Sequence, residues 1–414
     1  MANWPGRLRT VRPTRRGAAA LGAGVSFGVL GIVLALPDLV ALGAACLAAV
    51  AVSWVWLGSP RLDAGRAALA VERTITPHPI QRGHEADVLL TVRPERPSAA
   101  ALDRLRSVRL AEQAHHMLAG PEGVRARVFT HLDRIEVRYQ ISPRWRGRFP
   151  LGPVSATRTD LFGLVTARVN LGTDDDVLVW PATNEVEVRS DMLGDLERAG
   201  VGSRLPSLED SVLREYVAGD DPRRVHWLSA ARLGQLMVRT DEAAGPRPIT
   251  VLLDRSLIGL GDDWAVETAA SLACSLLSAG HPTRIIASDM DETELPEHLT
   301  GASGRGVLLD STVDLDAPSP PDAGAGMLTT AHSLRIRRGR DDVLVALTAP
   351  ISGDPLAEMA ALGMEAAGGW ALVTRGVGSP ETVRALRRSG WIASEVSVGD
   401  EPARVWATLT ERVA

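Results

Sequence analysis

Lysine is absent from this 414-residue chain: all 45 basic side chains are arginine, set against 50 acidic ones. With alanine, glycine and valine abundant, this bias matches the codon usage of a GC-rich genome, so arginine clusters carry less weight here as site markers. The formal net charge of -5 is small for the length and mixes both signs, which excludes the global field that draws nucleic acid or polyanionic substrates. Cysteine is nearly absent too. Cys46 sits in an apolar run and Cys274 in an amphipathic stretch, so neither a disulfide framework nor a metal-ligand spacing is present, and both read as small buried hydrophobes compatible with a reducing compartment. No phosphate loop, Gly-x-Ser-x-Gly elbow or His-Glu-x-x-His motif occurs, which leaves enzyme readings little support.

The chain does contain long uncharged apolar runs. Residues Gly17 to Leu36 and Leu39 to Leu57 carry no charge, and each is close to the roughly 20 residues that a helix needs to cross the hydrocarbon core. Only Pro37 and Asp38 separate them, so the two helices must run antiparallel as a hairpin over 17-58, behind a basic N-terminus over 1-16. Trp54 and Trp56 near the end of the second run suit a membrane interface. Arg7, Arg9, Arg12, Arg15 and Arg16 precede the first run, and Arg61, Arg66 and Arg73 follow the second. The positive-inside bias then predicts a two-pass anchor in the inner or plasma membrane, with both termini and the soluble region cytoplasmic. A secretory signal of twin-arginine type around Thr14-Arg15-Arg16 is the alternative, although it leaves the second run unexplained. Gly22, Ser26, Gly43 and Ala44 would permit close helix packing.

From about residue 69 to 181, short alternating runs broken by Pro and Gly read as strands, among them 86-94, 134-142 and 176-181. An antiparallel sandwich of about seven strands is the economical fold. Within it, the group Asp160-Leu161-Phe162-Gly163 reads as a tight turn whose Leu and Phe enter the core. From 246 to 414 the pattern becomes strand, helix, strand, helix: continuous apolar strands at 248-254, 283-289, 342-348, 370-376 and 392-398, with helices over 262-280, from near Pro355 and Pro380, and at the C-terminus. Such alternation predicts a mainly parallel, doubly wound sheet covered on both faces.

Between these regions, in a segment over 205-245, Ser211 to Arg239 reads as helix, Gly break, helix, Gly break, strand. Gly219 ends the first helix in this reading, Asp221-Pro222 begins the second, and Gly234 closes it. The string Arg214-Glu215-Tyr216, Gly219-Asp220-Asp221 with Arg223, Trp227 and Ala230-Ala231-Arg232 strongly resembles the signature of the domain of unknown function 58 family. Upstream, Arg146-Gly147-Arg148-Phe149, Leu151-Gly152-Pro153 and Asp160 to Leu164 resemble that family's turn before its core motif, so the resemblance spans nearly the whole chain. It implies a membrane-anchored protein with a von Willebrand factor type A-like domain after the signature. Relatives are typically encoded beside a MoxR-type AAA+ ATPase and often beside transglutaminase-like membrane proteins, which makes those the expected partners.

A von Willebrand type A domain binds magnesium through Asp-x-Ser-x-Ser after its first strand, because hard oxygen ligands on one loop suit that ion. Here the loop reads Asp254-Arg255-Ser256-Leu257-Ile258, with the last serine replaced and no aspartate after Thr348. Asp254 and Ser256 are therefore degenerate metal candidates at the mouth of the sheet, and no cofactor is expected. The acids Glu215, Asp220 and Asp221, with Tyr216 and His226, alternate with Arg214, Arg223, Arg224 and Arg232. Interleaved charges of this kind read as a hydrogen-bonded network joining two domains rather than as an acid/base centre. The expected function is a membrane-tethered, non-enzymatic adaptor or assembly factor working with the ATPase. Its rival is a metal-dependent ligand-binding module or enzyme using Asp254, Ser256 and the Glu215-Asp221 acids.

Overall fold

The structure, a computed structural model, describes residues 10-58, 68-119, 124-188, 212-216, 225, 227-240, 246-290, 293-318, 323-337, 342-366 and 368-410. The chain divides into two compact units, Met1–Trp180 and Pro181–Ala414.

The first unit begins with β1 (Thr10–Pro13), then the helices α1 (Arg15–Val33) and α2 (Pro37–Gly58). With 19 and 22 residues, and few charges, both are long and apolar enough to cross a membrane. Pro37 opens α2 at a position where its missing N–H costs nothing, and Ala35 takes a positive φ of 58° in the turn between them. The helices meet backbone to backbone. A Cβ on Gly43 would lie 2.7 Å from the Gly24 carbonyl oxygen and 2.7 Å from the Gly28 nitrogen, so this contact admits no larger residue. Gly22, expected at the contact, faces nothing within 4 Å, because it lies on the other side of α1 from Gly24 and Gly31.

The strands β2 (Leu69–Thr76), β3 (Ile80–Gln81), β4 (Ala86–Pro94), β5 (Val108–Ala114), β6 (Arg127–Thr130), β7 (Ile135–Ile141), β8 (Gly147–Thr159), β9 (Val165–Leu171) and β10 (Asp175–Trp180), with the short helix α3 (Ala99–Arg106), complete the unit. One sheet runs β1-β9-β8-β10-β3 with β5 also on β8, and the other runs β2-β4-β7-β6. Alternate residues of both, such as Val88, Leu90 and Val92 from β4 and Leu151, Val154 and Ala156 from β8, share one buried core. Six and four strands replace the roughly seven expected. The excess arises because β1, lying before the first apolar helix, adds to the sheet edge at β9, and because β3 pairs parallel to β10. Arg73, expected as a flanking membrane charge, instead sits inside the unit. Its guanidinium binds Glu112 at 2.6 Å and also Asp175, while the Tyr139 hydroxyl donates to the same Glu112. Burial and the Glu112 carboxylate push the Tyr139 hydroxyl far above its ordinary pKa.

In the second unit, β11 (Val212–Glu215) pairs antiparallel with β12 (Met237–Thr240), and α4 (Trp227–Leu233) lies between them in sequence. The helix expected from Ser211 is thus a strand over Val212–Glu215. Four residues cannot distinguish the two periods, and the pairing with β12 supplies the backbone bonds. Gly234 does close α4, at φ 69°. The remaining elements are β13 (Ile249–Leu253), α5 (Trp264–Ser278), β14 (Thr283–Ala287), α6 (Gly301–Val313), α7 (Ala323–Arg337), β15 (Val343–Thr348), α8 (Gly353–Glu365), β16 (Gly368–Thr374), α9 (Ser379–Arg388), β17 (Ile392–Val396) and α10 (Pro402–Thr410). The sheet is parallel in the order β14-β13-β15-β16-β17. Side chains of α5, α6 and α10 pack with Val251 and Leu253 on one face. Those of α7, α8 and α9 pack with Leu252 and Leu344 on the other. Strands buried on both faces explain the uninterrupted apolar runs.

Candidate functional site

The strand order reverses between β13 and β15, and in such sheets ligands bind outside the carboxyl ends of the strands at that point. Asp254 follows β13 there and is only 1% exposed. Its carboxylate is engaged by its own chain. Oδ1 accepts from the Ser256 N–H at 2.9 Å, while Oδ2 accepts from the Ala349 N–H at 3.0 Å and the Thr348 hydroxyl at 3.2 Å. Asp254 therefore ties the loop after β13 to the end of β15. Beside it, the Arg255 N–H donates to the Ser288 hydroxyl at 2.9 Å after β14, and the Arg255 guanidinium reaches the Asp316 carbonyl at 2.9 Å and Asp289 at 3.4 Å.

Asp254 with the Ser256 and Thr348 hydroxyls offers one carboxylate and two hydroxyls, a set that a magnesium ion would have to complete with water, and the carboxylate already accepts three hydrogen bonds from its own chain. Ile258, where the motif would carry its last serine, is buried in the core. Among the described residues no group of three or more His, Cys, Asp or Glu side chains could hold a metal ion.

The signature residues are placed in part. Arg214 and Glu215 lie in β11, with Tyr216 directly after it donating its N–H to the Leu236 carbonyl at 2.8 Å. Arg232 lies in the last turn of α4, and Trp227, at its start, is 67% exposed with Leu228 beside it also exposed. Gly219, Asp220, Asp221, Arg223, Arg224 and His226 fall outside the described residues.

One charged cluster had no sequence signal. At the amino ends of the parallel strands the buried Arg284 donates to Asp342 at 2.9 Å and to the Thr250 hydroxyl at 2.8 Å, and His298 lies 3.3 Å from the same carboxylate. Asp342 looked like the first residue of a strand, and nothing local announces a partner 58 positions away. The cluster is at the end of the sheet opposite the switch point, so it pins strands rather than lining a site. In the first unit the Asp160 turn also departs from expectation: Leu161 and Phe162 are 87% and 73% exposed. The reason is Asp160, 6% exposed, which turns inward in their place. It accepts from the Val165 N–H at 2.7 Å, the Phe162 N–H at 3.1 Å and the Ser53 hydroxyl of α2 at 3.0 Å.

No family model matches the chain, and no curated protein does. Among solved structures it is similar to the PilB minor pilin from Streptococcus sanguinis, at 10% identity and a TM-score of 0.30 over 74% of this chain and 77% of that one. It is also similar to a GspB Siglec domain, at 9% identity and a TM-score of 0.18 over 32% and 71%. Likeness at these TM-scores defines neither a shared fold nor a function.

Proposed function

We propose that this chain is a membrane-tethered adaptor or assembly factor of the domain of unknown function 58 type, working on the cytoplasmic face with a MoxR-type AAA+ ATPase and beside transglutaminase-like membrane proteins. The observation that carries the reading is Trp227: an indole 67% exposed, with Leu228 next to it, at the centre of the signature string. Exposed aromatic anchors of this sort dominate the energetics of protein interfaces when a partner covers them.

The pairing of β1 with β9 supports the anchor topology. A strand that precedes α1 shares a sheet with strands that follow α2, so both ends of the hairpin belong on one side of the bilayer. Cleavage of α1 as an export signal would remove that strand from the sheet. The second unit is, in this reading, the von Willebrand type A-like domain. Its support is the doubly wound order together with an antiparallel bridge from Thr283 to Leu299 on the outer side of β14, with Asp254 standing at the end of the first strand.

Pull-down of the full chain from native membranes with trapped nucleotide should recover an AAA+ ATPase, and Trp227→Ala with Leu228→Ser should lose it. Absence of any ATPase from the wild-type eluate would remove the proposal. A magnesium-dependent rise in Tm that Asp254→Ala abolishes would replace it with the metal-dependent ligand-binding reading. A reporter fused at the C-terminus that is active only outside the cytoplasm would overturn the orientation.

A further inference from the structure

The turn from Asp160 to Leu164 is held against the hairpin at the base of both helices. Thr14, the N-cap of α1, donates its N–H to the Leu164 carbonyl at 2.8 Å and its hydroxyl to the Gly163 carbonyl at 2.5 Å. A Cβ on Gly17 would come within 1.9 Å of the Leu164 oxygen, so the first turn of α1 lies directly on the turn's backbone. From the other helix Ser53 donates to Asp160, and Val50 and Leu57 pack with Val165 and Ala167.

These contacts fix the height of the turn. Ser53 is five residues from the end of α2, which at about 1.5 Å per residue is about 7.5 Å. Each interfacial layer of a bilayer is about 5–8 Å thick, and Trp54 and Trp56 occupy the same stretch of α2. The exposure of Leu161 and Phe162 is built in, because the Asp160 carboxylate holds the backbone of Phe162 and Val165 and leaves the two side chains no route inward. A basic collar accompanies them. Arg15 and Arg16 are exposed at the start of α1, Arg16 lies 3.8 Å from the Cβ position on Gly163, and the Arg158 guanidinium sits 4.9 Å over the Trp56 ring. An apolar tip with arginines around it is the composition of a surface that dips into the headgroup and acyl boundary while meeting phosphate at its rim.

We infer that Leu161 and Phe162 insert into the phospholipid interface, making the turn a third membrane contact that sets the sandwich against the bilayer. This rests on the hairpin lying in the membrane, and the test separates the two. In the full chain reconstituted into phosphatidylcholine and phosphatidylglycerol vesicles, Cys46→Ala with Phe162→Cys is labelled with an environment-sensitive fluorophore, buried Cys274 staying unlabelled. Leu161→Cys is the second variant, and Leu132→Cys, an exposed leucine in the β6–β7 turn, is the comparator. A further sample carries the label at native Cys46 in α2.

The label at 161 or 162 should shift to shorter wavelength on reconstitution and be quenched by lipid carrying a nitroxide near its carbonyl, with iodide in the water having no effect. The label at 132 should respond only to iodide. Quenching of positions 161 and 162 by iodide alone overturns the inference, and so does protection from both quenchers, which would mean that a protein or a second copy covers the turn. If the Cys46 label also fails to see lipid nitroxide, the hairpin reading falls. If Cys46 sees lipid and position 162 does not, the inference fails alone.

Discussion

Asp160 and Asp254 perform the same task in two different folds. Each follows a strand, each is buried, and each accepts two backbone N–H groups and one hydroxyl from its own chain. In both, the hydroxyl comes from a distant element: Ser53 is 107 positions from Asp160, and Thr348 is 94 from Asp254. What differs is the loop that each carboxylate holds. The Asp254 loop turns its apolar residues inward, with Leu257 and Ile258 buried, whereas the Asp160 loop turns Leu161 and Phe162 outward. A buried aspartate at a strand end is thus a brace first. Whether the loop it braces meets a partner depends on the neighbouring side chains.

The comparison breaks most readily at Asp254. Alanine there strands the Ser256 and Ala349 N–H groups while the Thr348 hydroxyl keeps the Ala349 carbonyl, and at about 1–3 kcal/mol for each unsatisfied buried donor the loss should reach about 3–5 kcal/mol. Thermal unfolding of the purified full chain in detergent, followed through the second unit, should show it. If Asp254→Ala melts with wild type, the carboxylate is not a brace. Asp160→Ala should cost less, about 2–4 kcal/mol, because of the two N–H groups it frees only that of Val165 is buried, while that of Phe162 belongs to an exposed residue of the turn. Here limited proteolysis should report a newly cleavable site near Phe162, with the second unit unaffected.

Gly17→Val tests the same joint by steric means. Its added carbons meet the Leu164 carbonyl, and the backbone cannot yield as the end of a long side chain would, so helix and turn must separate at about 1–3 kcal/mol. The expected readout is cleavage at the Asp160 turn in a protein whose second unit still melts normally. An unchanged digest would show that the hairpin does not rest on the turn.

Much of the framework was legible because each unit follows a single period. Strands such as 86-94 alternate over one core, strands such as 343-347 are apolar throughout because both faces are covered, and the two uncharged runs coincide with the two helices to within about three residues at each end. The turn and the signature were less so. Leu161 and Phe162 are apolar, and in a sandwich that predicts burial. Their outward direction is set by hydrogen bonds from Thr14 and Ser53, about a hundred and more positions earlier, that no local pattern encodes. Val212–Glu215 is too short to reveal its period, and the Asp342–Arg284 pair is visible only once β14 and β15 flank β13. For Asp254 the motif gave its place directly after the strand Ile249–Leu253. Its occupation by Thr348 and Ala349 depends on the register between two strands, which composition does not contain.

The finest test of the comparison removes one hydroxyl from each brace. Ser53→Ala and Thr348→Val each delete a single hydrogen bond to a carboxylate while keeping the side chain close to its original volume, so each should cost about 1 kcal/mol. The two should differ in how they couple. Ser53 belongs to α2 and meets the first unit's turn through Asp160, so its loss should disappear when Asp160 is already asparagine, a coupling that a double-mutant cycle isolates. Thr348 has a second acceptor in the Ala349 carbonyl at 2.9 Å, so the cycle between Thr348→Val and Asp254→Asn should leave a residue of independent loss. Equal couplings at both sites would mean that the hydroxyl of Thr348 belongs wholly to Asp254. A vanishing coupling at Ser53 would mean that helix and turn are joined by Thr14 and packing alone.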